Sequence, residues 1–456
     1  MKIDTYTAIL AELKEIINGT DWQNHVFAVG GCVRDKIMGN EIKDIDLVVD
    51  LCPNGGIKFA KWLEEHNYTK GSVVTYENFG TAMFHLAKFP EIELEVVHTR
   101  KECYHDAKTR NPETSFGTIK EDWERRDFTI NAMYYNITTE MLIDFDNRGC
   151  FDILDKVIRT CGNPEIIYNE DPLRIMRMVR FASRFDFNID FDTFQCAKKY
   201  VNRLEIISKE RITDEFTKML TFSNKSAVKA ICLLWDINAY RFIIPNFEKA
   251  TTEVKVKVVN SLIRFYEDYI DYFDILEITP ILANLLYNVY DFVHKEGIKY
   301  YLSEVLKYPN DVINNVIFLI EKAYELESMC KDICIAIEEK NYAIRKIMNQ
   351  CGNKQTFLLT TIIGSKRVKN TFHDTQWNYT VFEDYDWNDR MFYDYKLPID
   401  GNDVMEIFDI KPSSEIKEIL NKTFNFVCVN PSKHKREDCL DYVKYLKKCK
   451  DEFGEY

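Results

Sequence analysis

The stretch AVGGCVRDKIMGNEIKDIDLVVD, residues 28–50, decides the fold of the front of this chain. An apolar run that reads as a strand over His25–Gly31 meets Gly30 and Gly31, and a helix follows; missing side chains there let backbone N–H groups approach a phosphate. Arg34 lies one turn into that helix and adds positive charge. A tight structural turn would use the same glycines. Further on, a strand over Asp44–Leu51 carries Asp44 and Asp46 two apart, so its period of two aims both carboxylates at one side of the sheet. Like charges so placed repel unless a cation joins them. Magnesium is the candidate, because it takes hard oxygen ligands, uses one or two protein carboxylates and completes its shell with water and substrate phosphate. A solvated strand end would explain an isolated Asp-x-Asp; the adjoining glycine turn favours the metal. Glu93 and Glu95 share a face of a later strand, where either could be a third carboxylate or merely exposed.

Working outward, Ser72–Tyr76, Thr81–Ala87 and Ile92–Thr99 read as further strands, Ile57–His66 as a helix and Lys88–Glu91 as a hairpin turn. From Glu170 onward apolar residues recur at three and four, and Ala227–Phe242 and Asn310–Ile337 read as helices. A chain of 456 residues is too long for one compact core, and 46% hydrophobic residues exclude a disordered polymer. The opening MKIDTYTAIL has no basic-then-apolar leader and no apolar run approaches the roughly 20 residues of a spanning helix, so neither secretion nor membrane insertion is expected. Thirteen scattered cysteines without a Cys-x-x-Cys pair fit small buried hydrophobes in a reducing, cytoplasmic setting. A net charge of −13 confines any nucleic-acid contact to local basic patches. Lys433–Lys450, with seven Lys or Arg against three acids, is either such a patch or a solvated helix face.

EDPLRIMRMVRFASRF, residues 170–185, opens with acids and Pro172, ordinary helix-start signals. Arg174, Arg177 and Arg180 then recur every three residues near the N-terminal end, where cations oppose the helix dipole and call for an anion or ligand. Asp171 caps the helix or, one turn from Arg174, joins it in meeting one planar partner. Cytosine and adenine each pair a ring-nitrogen acceptor with an amino donor, which suits an Arg donor and an Asp acceptor; uracil and guanine present the reverse. At about 100° per residue Arg180 lies nearly opposite Asp171, so it reaches phosphate or supports the fold. WERRDFTINAMYYN adds Arg125, Arg126, Asp127 and Asn131, able to meet a ribose hydroxyl and triphosphate or to form a basic loop.

Taken together, GGCVRD, DIDLVV, the TRKECY stretch, RRDFTINA, EDPLRIMRMVRF and SKERITDE resemble, in order, the motifs of class II tRNA nucleotidyltransferases, the CCA-adding enzymes of the polymerase-β superfamily. LPIDGNDVMEIFDIKPSSEIKEIL is more weakly similar to the family's C-terminal helical segment. The resemblance implies an α+β protein: a nucleotidyltransferase head with a small mixed β-sheet over residues 1–150, then an all-α neck (151–225), body (226–330) and tail (331–456). It implies Mg²⁺ ions on Asp44 and Asp46, phosphate binding by Gly31 and Arg34, and ribose discrimination by Arg125, Arg126 and Asp127. It also implies base templating by Asp171 and Arg174, with further nucleotide-site arginines at Arg177 and Arg180. The activity implied is addition of C, C and A to the tRNA 3′ end from CTP and ATP by two-metal transfer, without a nucleic-acid template. Poly(A) polymerase, partial CC- or A-adding enzymes, and a non-catalytic RNA-binding protein with a relic head are the competing readings. Tyr287 and Asn288 stand where some members carry a phosphohydrolase His-Asp pair, so that activity is not expected. Residues 104–123, where the family keeps a loop that helps the switch from C to A, are only loosely similar. Sequence does not set the oligomeric state.

Overall fold

A computed structural model describes residues 1–103, 113–243, 252–270, 276–287, 295–331, 337–365, 392 and 395–453. The chain forms two compact units, Met1–Glu248 with Val305–Lys307, and Lys249–Glu304 with Tyr308–Tyr456.

The first unit begins with α1 (Ile3–Ile17), β1 (Val26–Val29), α2 (Gly31–Met38), β2 (Ile45–Val49) and α3 (Gly55–Glu65). β3 (Val74–Tyr76), β4 (Thr81–Leu86), β5 (Phe89–His98), β6 (Arg100–Cys103) and β7 (Glu113–Phe116) follow, then α4 (Ile119–Glu124), β8 (Tyr134–Asn136) and β9 (Leu142–Ile143). A mixed seven-stranded sheet runs β3-β4-β5-β2-β1-β8-β9, with β2 parallel to β5 and its other pairs antiparallel. Pairing places Phe27 opposite Val48, Val48 opposite Val97 and Val29 opposite Tyr134, so these share one face. Phe27, Val29, Val48 and Tyr134 are buried there against Ile119, Trp123, Ile143 and Phe145. α3 packs so close to the sheet that a Cβ on Gly56 would lie 2.7 Å from the Val97 backbone, which explains the glycine at that position.

α5 (Arg148–Leu154) and β10 (Val157–Ile158) lead to α6 (Pro164–Glu170), α7 (Leu173–Arg184), β11 (Asn188–Ile189), α8 (Phe191–Tyr200), α9 (Lys209–Leu220) and α10 (Asn224–Asp236). α7 is the central helix of this part: its apolar stripe of Ile175, Met176, Met178, Val179 and Ala182 is buried, with α9 and α10 packed against it. In the second unit every regular element among the described residues is helical, from Thr252–Ile270 to Arg436–Phe453. The α+β class with a mixed head sheet and a helical remainder is therefore observed. No described helix is long and apolar enough to cross a membrane.

Several element bounds differ from the sequence expectation. β2 begins at Ile45, so Asp44 precedes the strand rather than lying within it. The hairpin turn is confined to Ala87 and Lys88, because β5 already starts at Phe89. The helix expected over Ala227–Phe242 ends at Asp236; Asn238, at φ +60°, breaks it before a short 3₁₀ turn over Ala239–Phe242. The helix expected to reach Ile337 ends at Lys331, and Ile337 starts another. α10 belongs to the first unit. Residues 104–112 of the expected loop and Asn288 lie outside the described residues, while Tyr287 ends the helix Ile278–Tyr287.

Candidate active site

β1 delivers the chain into Gly30 at φ +75° and ψ −127°, backbone that a residue with a side chain rarely adopts, and Gly31 then starts α2. A Cβ on Gly30 would lie 3.7 Å from Arg126 Nη1, 3.8 Å from the Asn131 carbonyl oxygen and 4.0 Å from Asp46 Oδ2. The glycine turn, the metal candidate and one arginine of the RRD motif thus border a common space. Asp46 lies opposite Glu95 across the β2–β5 pair, while Asp44 is exposed just ahead of β2. Burial pushes the Asp46 carboxyl up to about 6, with Glu95 and Asp44 adding to the rise and Arg126 and Arg34 opposing it. Glu95 is raised by burial and then by Glu93 and Asp44. Asp46 and Glu95 are thus each raised in part by neighbouring carboxylates, a crowding of negative charge that suits a hard cation. No group of three His, Cys, Asp or Glu side chains forms a metal cage among the described residues. Magnesium needs only one or two protein carboxylates, so Asp44 and Asp46 fit it.

The RRD motif follows α4, whose start is fixed by a capping box: Thr118 Oγ accepts from Glu121 N at 3.3 Å, and Glu121 Oε2 accepts from Thr118 N at 2.8 Å. This places Asp122 in the first turn, facing inward. Arg125 donates to Asp122 Oδ1 through Nη2 at 2.5 Å, and Arg126 donates to Oδ2 through Nη2 at 3.0 Å. Asp127 turns the other way, accepting from Asn131 Nδ2 at 3.2 Å and from Arg177 Nε at 2.8 Å. Asn131 Oδ1 in turn accepts from Arg34 Nη1 at 2.5 Å. Arg34 is buried, forked onto the Asp35 carboxylate at 2.9 and 2.8 Å, with its guanidinium 4.7 Å from the Phe185 ring centre. It faces these groups rather than open space, although its Nη2 lies 3.6 Å from where a Gly31 Cβ would sit.

On α7 the protein supplies its own anions. Arg177 meets Asp127 Oδ2 at 2.6 Å and Glu215 Oε1 at 3.7 Å, and Arg180 meets Glu215 Oε2 at 2.5 Å. Arg174 is buried and donates to the carbonyl oxygens of Ile167 at 3.0 Å and Arg125 at 2.5 Å, and to Glu170 at 3.3 Å. Asp171 follows α6 and its Oδ1 accepts from Leu173 N at 3.1 Å, across Pro172 at the start of α7, while its Oδ2 lies 3.5 Å from Arg211 Nη2. Arg34, Asn131, Asp127, Arg177 and Arg180 therefore form one linked chain through Glu215, and Arg174 ties to it through the RRD backbone. Asp171 stands apart from it with Leu173 N and Arg211 as partners, and Asp44 is exposed ahead of β2.

Sequence reasoning missed Asp122, Glu215 and Arg211. The helical spacing of Asp122 to Arg125 and Arg126 was a usable signal, one residue upstream of the motif as read from Trp123. SKERITDE holds both Arg211 and Glu215, yet nothing in it says that they face α7.

Residues 26–159 match the family model described as Poly A polymerase head domain. Residues 186–251 match the model described as a probable RNA and SrmB-binding site of polymerase A. A tRNA nucleotidyltransferase of Schizosaccharomyces pombe is 28% identical over 92% of both chains. A CCA-adding enzyme of Enterococcus faecalis is 35% identical over 49% of this chain and 52% of its own. The mitochondrial CCA tRNA nucleotidyltransferase of Saccharomyces cerevisiae is 34% identical over 42% of this chain and 37% of its own. Among solved structures, the Bacillus stearothermophilus CCA-adding enzyme in complex with CTP shares the fold with a TM-score of 0.70 at 21% identity, over 99% of this chain and 100% of that one.

Proposed function

We propose that the chain is a class II tRNA nucleotidyltransferase that adds C, C and A in turn to the 3′ end of tRNA from CTP and ATP, releasing pyrophosphate, a reading supported by its similarity to tRNA nucleotidyltransferases and CCA-adding enzymes. The observation that carries the proposal is the shared space at Gly30, bordered by Asp46 and Arg126 and linked through Asn131 to the arginines of α7. Such a site can hold a triphosphate at one end and read a base at the other.

In this reading Asp44 and Asp46 hold Mg²⁺, which when bound supplies the positive charge that binds triphosphate oxygens and favours the tRNA 3′-oxygen as nucleophile. The protein's own groups do the rest. The N–H groups that open α2 face the triphosphate, with Gly31 lacking a side chain that would block it. Arg126 presents Nη1 beside the glycine turn, and Arg125, Asp127 and Asn131 order the sugar-binding segment. Asp171 and Arg174 select C and A by their acceptor and donor, after exchanging their present partners Arg211 and the Arg125 carbonyl. The free thiols among the described residues suit a reducing compartment, which supports action in the cytoplasm.

Poly(A) synthesis is the second reading, favoured by the description of the head-domain model. That model stops at residue 159, whereas the Schizosaccharomyces pombe enzyme is matched over 92% of the chain, which supports the tRNA substrate. The test incubates the purified protein and Mg²⁺ with tRNAs ending before, within and one base short of CCA, offering each nucleoside triphosphate singly and together. Extension should stop at CCA. A long A tail would establish the polymerase instead, a product ending at CC would restrict the activity to C addition, and incorporation of UTP or GTP would refute the base template. Asp44→Ala should abolish extension and keep tRNA binding; undiminished extension would overturn the metal assignment.

A further inference from the structure

Asp122 is fully buried, and its carboxylate accepts six hydrogen bonds. Oδ1 takes Arg100 N at 3.3 Å, Arg125 Nε at 3.1 Å and Arg125 Nη2 at 2.5 Å. Oδ2 takes Arg126 Nε at 3.1 Å, Arg126 Nη2 at 3.0 Å and the Tyr134 hydroxyl at 2.7 Å. That saturates the roughly four lone-pair sites a carboxylate offers. No part of the side chain is exposed, so it cannot touch a substrate.

What it does decide is direction. With Nε and Nη2 of Arg126 fixed by Asp122, and Nε held also by the Tyr134 hydroxyl at 2.8 Å, the group left to face the Gly30 turn and Asp46 is Nη1. The same carboxylate holds Arg125, whose carbonyl oxygen receives Arg174 from α7. We propose that Asp122 is a positioning residue for nucleotidyl transfer, aiming Arg126 at the phosphates of the incoming nucleoside triphosphate. The inference rests on the reading of the site given above.

Positioning and simple charge give opposite signs. Asp122→Asn is nearly isosteric but removes a negative charge next to two arginines. If only the arginines' charge mattered, the variant would be more positive and bind the triphosphate more tightly. If their aim matters, an amide that donates where the carboxylate accepted turns Arg126 away, and binding weakens.

The experiment measures initial rates of C addition to tRNA lacking CCA, varying CTP and tRNA separately, for the full-length parent, Asp122→Asn, Asp122→Glu and Tyr134→Phe. Asp122→Asn is expected to raise the KM for CTP about tenfold or more, with the KM for tRNA unchanged. Asp122→Glu should recover part of the loss. Tyr134→Phe, which removes one donor to Asp122 and one partner of Arg126, should shift the KM for CTP in the same direction by less. An unchanged or lowered KM for CTP in Asp122→Asn, with only the melting temperature reduced, overturns the proposal. Should Asp122→Asn fail to fold, an unchanged KM for CTP in Tyr134→Phe overturns it equally. A parent enzyme that does not extend tRNA would refute the underlying function, a result distinct from either.

Discussion

Substituting the two glycines of the turn separates the backbone that the fold requires from the space that the substrate requires. Gly30 sits at φ +75° and ψ −127°, and a Cβ there would meet nothing closer than 3.7 Å. Clash therefore adds little to Gly30→Ala, and the strain of the backbone sets its effect at about 1–3 kcal/mol. For a unit of some 250 residues this corresponds to a melting point lower by roughly 2–12 °C. Gly31 is helical, and its Cβ would make an ordinary 3.6 Å contact with Arg34 Nη2. Alanine in a helix is favoured over glycine by about 0.5–1 kcal/mol, so Gly31→Ala should leave stability unchanged or slightly higher. Both methyl groups intrude where the triphosphate is expected to approach, and a loss of about 1.4 kcal/mol would raise the KM for CTP tenfold. Gly19→Ala is the control: φ is +77°, nothing lies within 4 Å, and stability should fall without any change in KM. Thermal unfolding followed by circular dichroism, with initial-rate kinetics on each variant, decides the matter. A Gly31→Ala enzyme with parental KM for CTP would refute phosphate binding at this turn, and an unshifted melting point for Gly30→Ala would refute the strain argument.

Burial raises the Asp127 carboxyl, but Arg177 and the bonds from Asn131 and Phe128 N outweigh it and hold the group below its ordinary range. The folded group then titrates below the unfolded value of about 3.9, so its stabilisation is complete above that value and lost as the pH falls through the folded one. Asp127→Asn should be less stable than the parent in urea at pH 7, with the gap closing below about pH 4; a gap that stays constant down to pH 3 would contradict the ion pair's role. Asp171→Ala should reduce discrimination of CTP against UTP by about tenfold or more while slowing CMP transfer less, measured in single-turnover assays; an unaltered nucleotide preference would remove Asp171 from the template.

The parts of the site that could be read in the sequence are those in which one local pattern carries the meaning. Short apolar and β-branched runs located β1 to β5, the glycine pair located the turn, and a period of three drew attention to Arg174, Arg177 and Arg180. β6 and β7, with the sequences RKEC and ETSF, have no apolar face to alternate and left no such signal. The deeper omission concerns partners. Arg180 pairs with Glu215, 35 positions away, and Arg177 with Asp127, 50 positions away, so helix periodicity shows a row of cations but not the acids that meet them. Arg177 and Arg180 do meet carboxylates of the protein itself, but α7 runs from Leu173 to Arg184, so both lie beyond its first turn and the helix dipole is not what calls for those anions.

That compensation bears on how the base is read. Arg174 already holds two backbone carbonyl oxygens and Glu170, and Asp171 already faces Leu173 N and Arg211. A cytosine or adenine that engages both side chains replaces existing bonds with equivalent ones, so the exchange adds little affinity. A uracil or guanine displaces the same bonds and returns donor against donor, leaving buried polar groups unsatisfied at about 1–3 kcal/mol each. Under the proposed function, then, Asp171 and Arg174 act by penalising the wrong base, and affinity for the right nucleotide has to come from the triphosphate end. There the charged groups are Arg126 beside the Gly30 turn and the cation that Asp44 and Asp46 suit. This division makes the KM for CTP sensitive to Asp122 and Gly31, and the choice between CTP and UTP sensitive to Asp171; variants that moved both quantities together would refute it.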